Sequence, residues 1–395
     1  MAAVPVLTLA PRQTHRCMRG HCWVFRSELE PGFAVPADGA QVAIHDPRGA
    51  FLGRGLYSHQ SQIAVRLFTR QAVDLDADFL RDRLDQALAF RAVVAAGRPA
   101  RRLVSSEGDL LPGLIVDQYA SSLVVQATTV GIDQRLGMIV ELLAQRLAPA
   151  QVIERNDLSV RALEGLPSRS GVLHGPASTE VEVAIGEITY RLDLLDPHKT
   201  GAYLDQQQNH LAFRQVLPPR ARVLDACCHL GGFALHALRA GAAQAVAIDS
   251  APASIRATRH AAAQAGLDAR LTAIEADIFA WLRAQAANER FDVIVLDPPS
   301  FTRNRQGLPG ALRGYRELHL RALRLLGVGG RLMSFSCSHH VAEAEFLDTL
   351  LEAAADCGRT VRLDQLLCAS ADHPVLPIIP ETRYLKGVLV TVLEA

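Results

Sequence analysis

Phe291-Asp292-Val293-Ile294-Val295-Leu296-Asp297-Pro298-Pro299-Ser300-Phe301 is the stretch whose reading decides the fold of this chain. Val293, Ile294, Val295 and Leu296 form an unbroken apolar run, the pattern of a strand covered on both faces, as in parallel sheets. The run stops at an acid and two prolines. Pro298 and Pro299 lack an N–H and hold φ fixed, so the strand cannot continue as a central ladder. A carboxylate and several carbonyl oxygens are left at the carboxyl end of a strand, where open α/β sheets bind ligands. Alone, the pattern also fits a strand that merely ends in a surface loop.

The surroundings favour the first reading. From about residue 195 onward, strand and helix patterns alternate. Strands are expected over 222–225, 244–249, 270–275, 293–297, 331–336, 360–366 and 387–393. Helices are expected over 232–240, 251–265, 278–287, 312–326 and 342–355. This alternation predicts a doubly wound α/β domain, Rossmann-like, with a mostly parallel seven-stranded sheet. We place it at 191–395. Ahead of it, 1–72 reads as a small β-rich barrel, with short apolar runs between turn signals such as Asp46-Pro47-Arg48-Gly49. Between the two, 73–190 reads as a small α+β domain. It opens on an amphipathic helix over 74–96, with Phe79, Leu80, Leu84, Leu88 and Val93 on one face.

The chain has 395 residues, of which 49% are apolar, so it can bury sizeable cores in two or three domains. Net charge is zero, so any nucleic-acid surface must be a local patch. The N-terminal segment supplies a candidate patch: Arg12, Arg16, Arg19, Arg26, Arg48, Arg54, Arg66 and Arg70 surround Trp23 and Phe25. Arginines among aromatics suit RNA, with its phosphates and unstacked bases; a barrel with a solvated basic surface fits equally. Lys199 and Lys386 are the only lysines. No apolar run is long enough to span a membrane, and the start does not read as a signal peptide. The seven cysteines are odd in number and scattered, which points to reduced thiols and a cytoplasmic protein. His15, Cys17, His21 and Cys22 lie close together but lack the second ligand pair of a zinc site, so no metal is expected.

A cofactor site is expected where the first strand of the α/β domain ends. Asp225 is followed by Ala226-Cys227-Cys228-His229-Leu230-Gly231-Gly232-Phe233. Glycines opening a helix let a cofactor approach the backbone. A dinucleotide would set its pyrophosphate there, and Asp225 would repel it. The cationic sulfonium and ammonium of S-adenosylmethionine would be welcome. Asp249, with Ser250 beside it, ends the second strand and is placed for ribose hydroxyls. Asp277 ends the third, placed for an adenine amino group, with Ile278 to pack on the ring. Strand-end acids also commonly cap the next helix. An acid after each of the first four strands, Asp297 included, is the stronger signal.

The fifth strand ends in Ser336-Cys337-Ser338-His339-His340. A thiol at the same sheet edge as Asp297 is a candidate nucleophile. It suits an unactivated pyrimidine carbon. Addition of a thiolate at C6 of cytosine makes C5 nucleophilic, and Asp297 could stabilise charge at N3 and O2.

These residues resemble the bacterial three-domain 23S ribosomal RNA 5-methylcytosine methyltransferases. The resemblance is carried by His21-Cys22-Trp23-Val24-Phe25, Glu154-Arg155-Asn156-Asp157, Lys199 to Gln207, the Gly-Gly-Phe loop, Asp297-Pro298-Pro299-Ser300-Phe301, Phe335-Ser336-Cys337-Ser338 and Asp372-His373-Pro374. It implies a PUA domain, a central α/β domain and a class I methyltransferase domain. It implies Cys337 as nucleophile, and closure of Lys199 to Gln206, with Asp205 and Gln206 among them, over the cofactor. Ribosomal RNA would be the substrate, and a homodimer is compatible with the reading. The chain departs from another branch of RNA 5-methylcytosine enzymes, which carry a second cysteine where Ser300 stands. That leaves the base for the C5 proton unassigned, and His339 is a candidate. Two rivals stay open: an amino-group methyltransferase acting on a purine, and a non-catalytic RNA-binding or ribosome-assembly protein.

Overall fold

The computed structural model describes residues 4–11, 15–195, 201–286, 289–302 and 304–394. By contact density the chain divides into two compact units. One takes in Met1–Val183, Leu192–Thr200 and Ala371–Thr382; the other takes in Ala184–Arg191, Gly201–Ser370 and Arg383–Ala395.

The first unit holds two five-stranded sheets. In one, the strands Val6–Thr8, Gln41–His45, Phe51–Tyr57, Ile63–Thr69 and Trp23–Phe25 lie side by side in that order. Its core gathers Leu7, Val24, Ile44, Tyr57, Val65 and Ile379. Cys17 and Cys22 are buried there, and burial pushes both thiols up. His15 pairs with Glu28, and His21 with Glu381. The expected basic surface is largely spent inside the unit. Arg16, Arg54 and Arg66 bind Glu381, Asp74 and Glu164. Arg26 reaches the carbonyls of Ser58, His59 and Ser61, and Arg70 those of Leu52 and His21. Arg12 lies outside the described residues.

The second sheet runs Arg169–His174, Gln151–Asn156, Ser122–Ala127, Leu114–Tyr119, Ala100–Ser105. The helices Ala77–Val94 and Leu136–Leu147 contribute to its core. Asp76 caps the first of these, accepting from Phe79 N at 3.0 Å. Val93, expected on its buried face, is 79% exposed, whereas Arg91 is fully buried. The exchange has a physical cause. The Arg91 guanidinium is held by both carboxylate oxygens of Asp109 and by the carbonyl of Asp372, so that arginine satisfies an interior position.

The second unit is built on one seven-stranded sheet. Its strands are β1 (Arg222–Ala226), β2 (Gln244–Asp249), β3 (Leu271–Glu275), β4 (Phe291–Leu296), β5 (Leu326–Ser336), β6 (Thr360–Cys368) and β7 (Lys386–Glu394). Their order is 3-2-1-4-5-7-6; β7 alone runs antiparallel to both of its neighbours. Val293 to Leu296 are at most 1% exposed, as a central parallel strand requires. The helices Gly232–Arg239, Pro252–Gln264, Ile278–Arg283, Leu308–Arg324 and Glu343–Asp356 complete the layers. One expected strand signal, over 180–194, is two strands, Glu180–Ile185 and Ile188–Asp193. Gly186 makes the turn at φ +62°, where a Cβ would meet the His236 ring at 2.4 Å.

Candidate active site

β1, β4 and β5 deliver their last residues to one edge of the sheet. At the end of β1, Asp225 is 1% exposed and its Oδ2 accepts Ala234 N at 2.9 Å. Burial pushes its carboxyl up to about 7, the Ala234 N–H pulls it down, and Asp249 adds to the rise. The loop that follows turns through left-handed Cys227, His229 and Gly231. Gly231 sits at φ +72°, with the position of a Cβ 2.4 Å from Thr258 Cγ2. At Gly232 the position of a Cβ lies 2.6 Å from the His210 ring. The glycine pair therefore lets the loop approach Thr258 and the His210 ring closely.

Asp249 and Asp277 are both committed to backbone. Asp249 accepts His229 N and Ala251 N, each at 2.9 Å. It thereby ties the loop after β1 to the end of β2. Asp277 caps the helix Ile278–Arg283 through Ala280 N at 2.8 Å and stays exposed. Each carboxylate oxygen keeps a free lone pair, so capping and ligand contact are compatible. Ser250 is exposed beside Asp249. Ile278 is buried in the core cluster with Val246 and Ile248.

One pocket is lined by Asp225, Gly232, Phe233, Gln206 and Asp297, joined by Tyr190, Tyr203, His210 and His229. Tyr203 and His229 fall within the stretches quoted from the sequence; Tyr190 and His210 do not. The Tyr203 ring lies 4.5 Å from that of His229 and roofs the loop. Phe233 stacks on Phe335, 5.7 Å between centroids. Asp249, Ser250, Asp277 and Ile278 stand outside that pocket, at the ends of β2 and β3 along the same edge. Lys199 lies outside the described residues.

Asp297 is half-buried. Gln206 Nε2 donates to its Oδ2 at 2.9 Å. Burial and then the neighbouring Asp205 push its carboxyl up to about 8, against the pull of Gln206. Asp205 accepts the Tyr384 hydroxyl at 2.6 Å on Oδ2, while its buried Oδ1 has no partner among the described residues. Carboxylates crowded into one pocket fit a cationic ligand, and the unpartnered oxygen asks for a donor.

Cys337 follows β5, the parallel neighbour of β4. Its Sγ lies 4.0 Å from the Pro298 carbonyl, so the thiol and the Asp297-Pro298-Pro299 turn meet. Burial, Asp297 and Asp205 push the thiol up to about 11. Behind it, Ser338 Oγ joins Ser300 Oγ at 3.2 Å, Tyr315 OH at 3.0 Å and Phe301 N at 3.1 Å. Lys386 Nζ donates to the carbonyls of Ser338 and Tyr384, at 2.9 and 3.0 Å. His339 is exposed, its ring 6.0 Å from that of Tyr384. Lys386 and Tyr384 escaped the sequence reading, although a lysine in a chain with only two was a signal to follow.

A sheet of this order, with acids and a glycine turn at its carboxyl edge, defines a class I S-adenosylmethionine-dependent methyltransferase. Residues 161–385 match the S-adenosylmethionine-dependent methyltransferase family, and residues 7–70 match a PUA-like domain. The solved structures agree in fold: a SAM-dependent methyltransferase from Streptococcus mutans superposes with a TM-score of 0.84 at 20% identity, covering 98% of this chain and all of that one. A methyltransferase structure solved in complex with SAH gives 0.85 over the same share of each chain, also at 20% identity.

Among curated relatives, the ribosomal RNA large subunit methyltransferase I of Tolumonas auensis is 36% identical over 94% of this chain and 96% of its own length. That of Shewanella amazonensis is 37% identical over 98% and 99%. The chain belongs to the ribosomal RNA large subunit methyltransferase I family.

Proposed function

We propose that this chain methylates C5 of a cytosine in 23S ribosomal RNA through a covalent adduct on Cys337. The observation that carries the reading is the meeting of Cys337 with the Asp297-Pro298-Pro299 turn beside the cofactor pocket. The names of the relatives support the substrate, ribosomal RNA of the large subunit.

S-adenosylmethionine supplies an electrophilic methyl group. Asp225, Gly231, Gly232 and Phe233 would shape its pocket, with Gln206 and Asp297 at the pocket wall and Asp205 just behind. Asp249, Ser250, Asp277 and Ile278 would extend the site along the sheet edge. Lys199 joins this set by family resemblance.

The chemistry runs through the thiolate. Cys337 Sγ bonds to C6 of cytosine, and the pair of the C5–C6 double bond moves toward C5 and N3. A protonated Asp297 can donate to N3 or O2 at that moment. C5 then takes the methyl group and gives its proton to a base. The C5–C6 double bond re-forms as the C–S bond breaks and the thiolate leaves. An amino-group methyltransferase would need an aromatic ring free to stack on its base. Phe301, the candidate, is packed 4.7 Å from Tyr315 and 5.9 Å from Phe279.

In this reading 1–72 is the RNA-binding PUA domain, 73–190 the central domain and 191–395 the catalytic domain, working in the cytoplasm, where ribosomal RNA is modified. No helix among the described residues is long and apolar enough to cross a membrane.

The test is ribosomal RNA containing 5-fluorocytidine. Fluorine replaces the departing proton, so the adduct cannot resolve. A methylated, Cys337-linked RNA peptide supports the reading. Tritium from labelled S-adenosylmethionine appearing in a methylated purine, with no trapped adduct, removes it.

A further inference from the structure

Lysine is close to absent from this chain, and Lys386 is one of only two. It is 5% exposed, at the first position of β7. The strand register sets it opposite Ser336, the last residue of β5, immediately before Cys337. Its ammonium donates to the carbonyl of Ser338, immediately after Cys337, and to that of Tyr384. The thiol is therefore bracketed by a pairing on one side and an ammonium bond on the other.

A buried ammonium is costly to desolvate, and two neutral carbonyls repay only part of that cost. Among the described residues Lys386 makes no ion pair. Forty-one basic residues are present and nearly all are arginine, so a lysine here calls for a reason. A guanidinium is a wide planar fork, whereas an ammonium is a compact point charge. A compact, unpaired positive charge held under a loop is suited to an anion that forms only transiently.

We propose that Lys386 is a positioning residue for Cys337. Its ammonium fixes the Ser336–Ser338 turn and supplies the positive charge beside which the Cys337 thiolate forms. The inference rests on the reading of Cys337 as nucleophile and goes beyond it, by naming what opposes the acids around the thiol. The groups that face Cys337 are of both signs. Burial, then Asp297 and Asp205, disfavour the thiolate; the cysteine's own N–H and then Lys386 favour it. Tyr315 and Tyr203 stand near it as neutral phenols. Burial lowers Lys386 from its ordinary value; Cys337 and Glu343 raise it and Arg383 lowers it, the last two pairing with each other. Against two carboxyls, the cysteine's own N–H is the larger counterweight and Lys386 is the cation that adds to it, so removal of that cation must raise the thiol further.

The experiment is iodoacetamide alkylation of the full-length protein without RNA, with Cys337 modification followed in its own peptide by mass spectrometry from pH 7 to 10. Lys386→Gln keeps a donor for the Ser338 carbonyl but loses the charge. One unit of upward shift cuts the thiolate fraction about tenfold, and the greater nucleophilicity of the more basic thiolate restores part of that, leaving roughly a threefold fall in rate. We expect at least that fall for Lys386→Gln at pH 8, with Lys386→Arg closer to the parent. Calorimetric binding of S-adenosylmethionine reports that each variant is folded. If Lys386→Gln does not fold, Lys386→Met is read the same way. If neither folds, Lys386→Arg is the arbiter: parental alkylation supports the charge, and a threefold fall overturns it. An alkylation profile identical to the parent in a folded neutral variant overturns the proposal. Failure of the cytosine reading would show differently, as label in a purine from the parent protein, with the alkylation result unaffected.

Discussion

Gln206 Nε2 and Asp297 Oδ2 are joined at 2.9 Å. The amide cannot turn round, because its Oε1 accepts Asn209 Nδ2 at 2.6 Å, and Asn209 also donates to the Cys368 carbonyl. A residue from the stretch resembling a cofactor-closing segment thus aims an N–H at the acid that ends β4. The bond favours the ionised carboxyl against burial and Asp205. Gln206→Leu removes it and leaves Asp297 more fully protonated. We expect S-adenosylmethionine affinity to fall about tenfold, on the order of 1.4 kcal/mol. Titration calorimetry measures this; an unchanged Kd would separate Asp297 from the cofactor.

The same pocket predicts a pH dependence. Burial holds Asp225 at about 7 and Asp297 at about 8 in the free protein. A cationic ligand prefers both ionised, so binding releases protons below those values. Affinity for S-adenosylmethionine should therefore rise from pH 6 to about pH 8 and then level off. The stability effect has the opposite sign. A carboxyl raised in the folded state contributes stability at acid pH that is lost as pH rises through its folded value. Asp297→Asn should flatten the upper part of the binding curve and leave the part belonging to Asp225. A curve as steep in the variant as in the parent would exclude Asp297 as the titrating group.

Gly231 tests the cofactor loop. It combines φ +72° with a Cβ position 2.4 Å from Thr258 Cγ2. Gly231→Ala meets both a left-handed backbone cost of roughly 1–2 kcal/mol and an overpacking cost of about 1–3 kcal/mol. Adding Thr258→Ala should return the second part and not the first. Urea midpoints of the single and double variants measure the two. A Gly231→Ala protein as stable as the parent would mean that the loop relaxes freely.

The sheet was legible because parallel strands are continuous apolar runs and each of the first four led into an acid. Asp225, Asp297 and Cys337 were legible for the same reason: position at a strand end needs no knowledge of long-range packing. What was hidden depends on partners distant in sequence. Arg91 takes an interior helix position because Asp109 and Asp372 meet it there, and Val93 is displaced outward. Arg66 reads as a surface cation until Glu164 is brought beside it. Tyr384 and Lys386 follow Cys337 by nearly fifty residues, and only the antiparallel β5–β7 pairing brings them under it. Periodicity reports which face a residue shares, never what waits on the other side.

Arg91 also yields a stability prediction. Its side chain is 1% exposed and that of Asp109 7%, and Asp109 accepts Ser105 N as well. Arg91→Met leaves a buried carboxylate without its cation, a loss of about 3–5 kcal/mol. Arg91→Met combined with Asp109→Asn removes the stranded charge and should regain a large part of it. Urea denaturation of the three proteins reads this directly. Equal destabilisation in single and double variants would show that the lost packing of the arginine stem, and not the charge, is what matters.

The two half-buried cysteines near the pocket separate nucleophile from wall. Cys227 lines the pocket on a left-handed backbone, and burial together with Asp249 and Asp297 pushes its thiol up more strongly than that of Cys337. Lys386 offsets part of the rise at Cys337, while the charges that act on Cys227 are all acidic. If Cys337 attacks C6, Cys337→Ala should lose methyl transfer by about a thousandfold or more, because covalent activation is removed rather than weakened. Its affinity for S-adenosylmethionine should stay within a few-fold of the parent. Cys227→Ala should show the reverse order, with a changed KM for the cofactor and a turnover within about tenfold. Single-turnover transfer to ribosomal RNA, alongside cofactor calorimetry, measures both. Retained turnover in Cys337→Ala would hand the reaction to an acceptor that needs no thiol, and an amino group on a purine is the acceptor that fits.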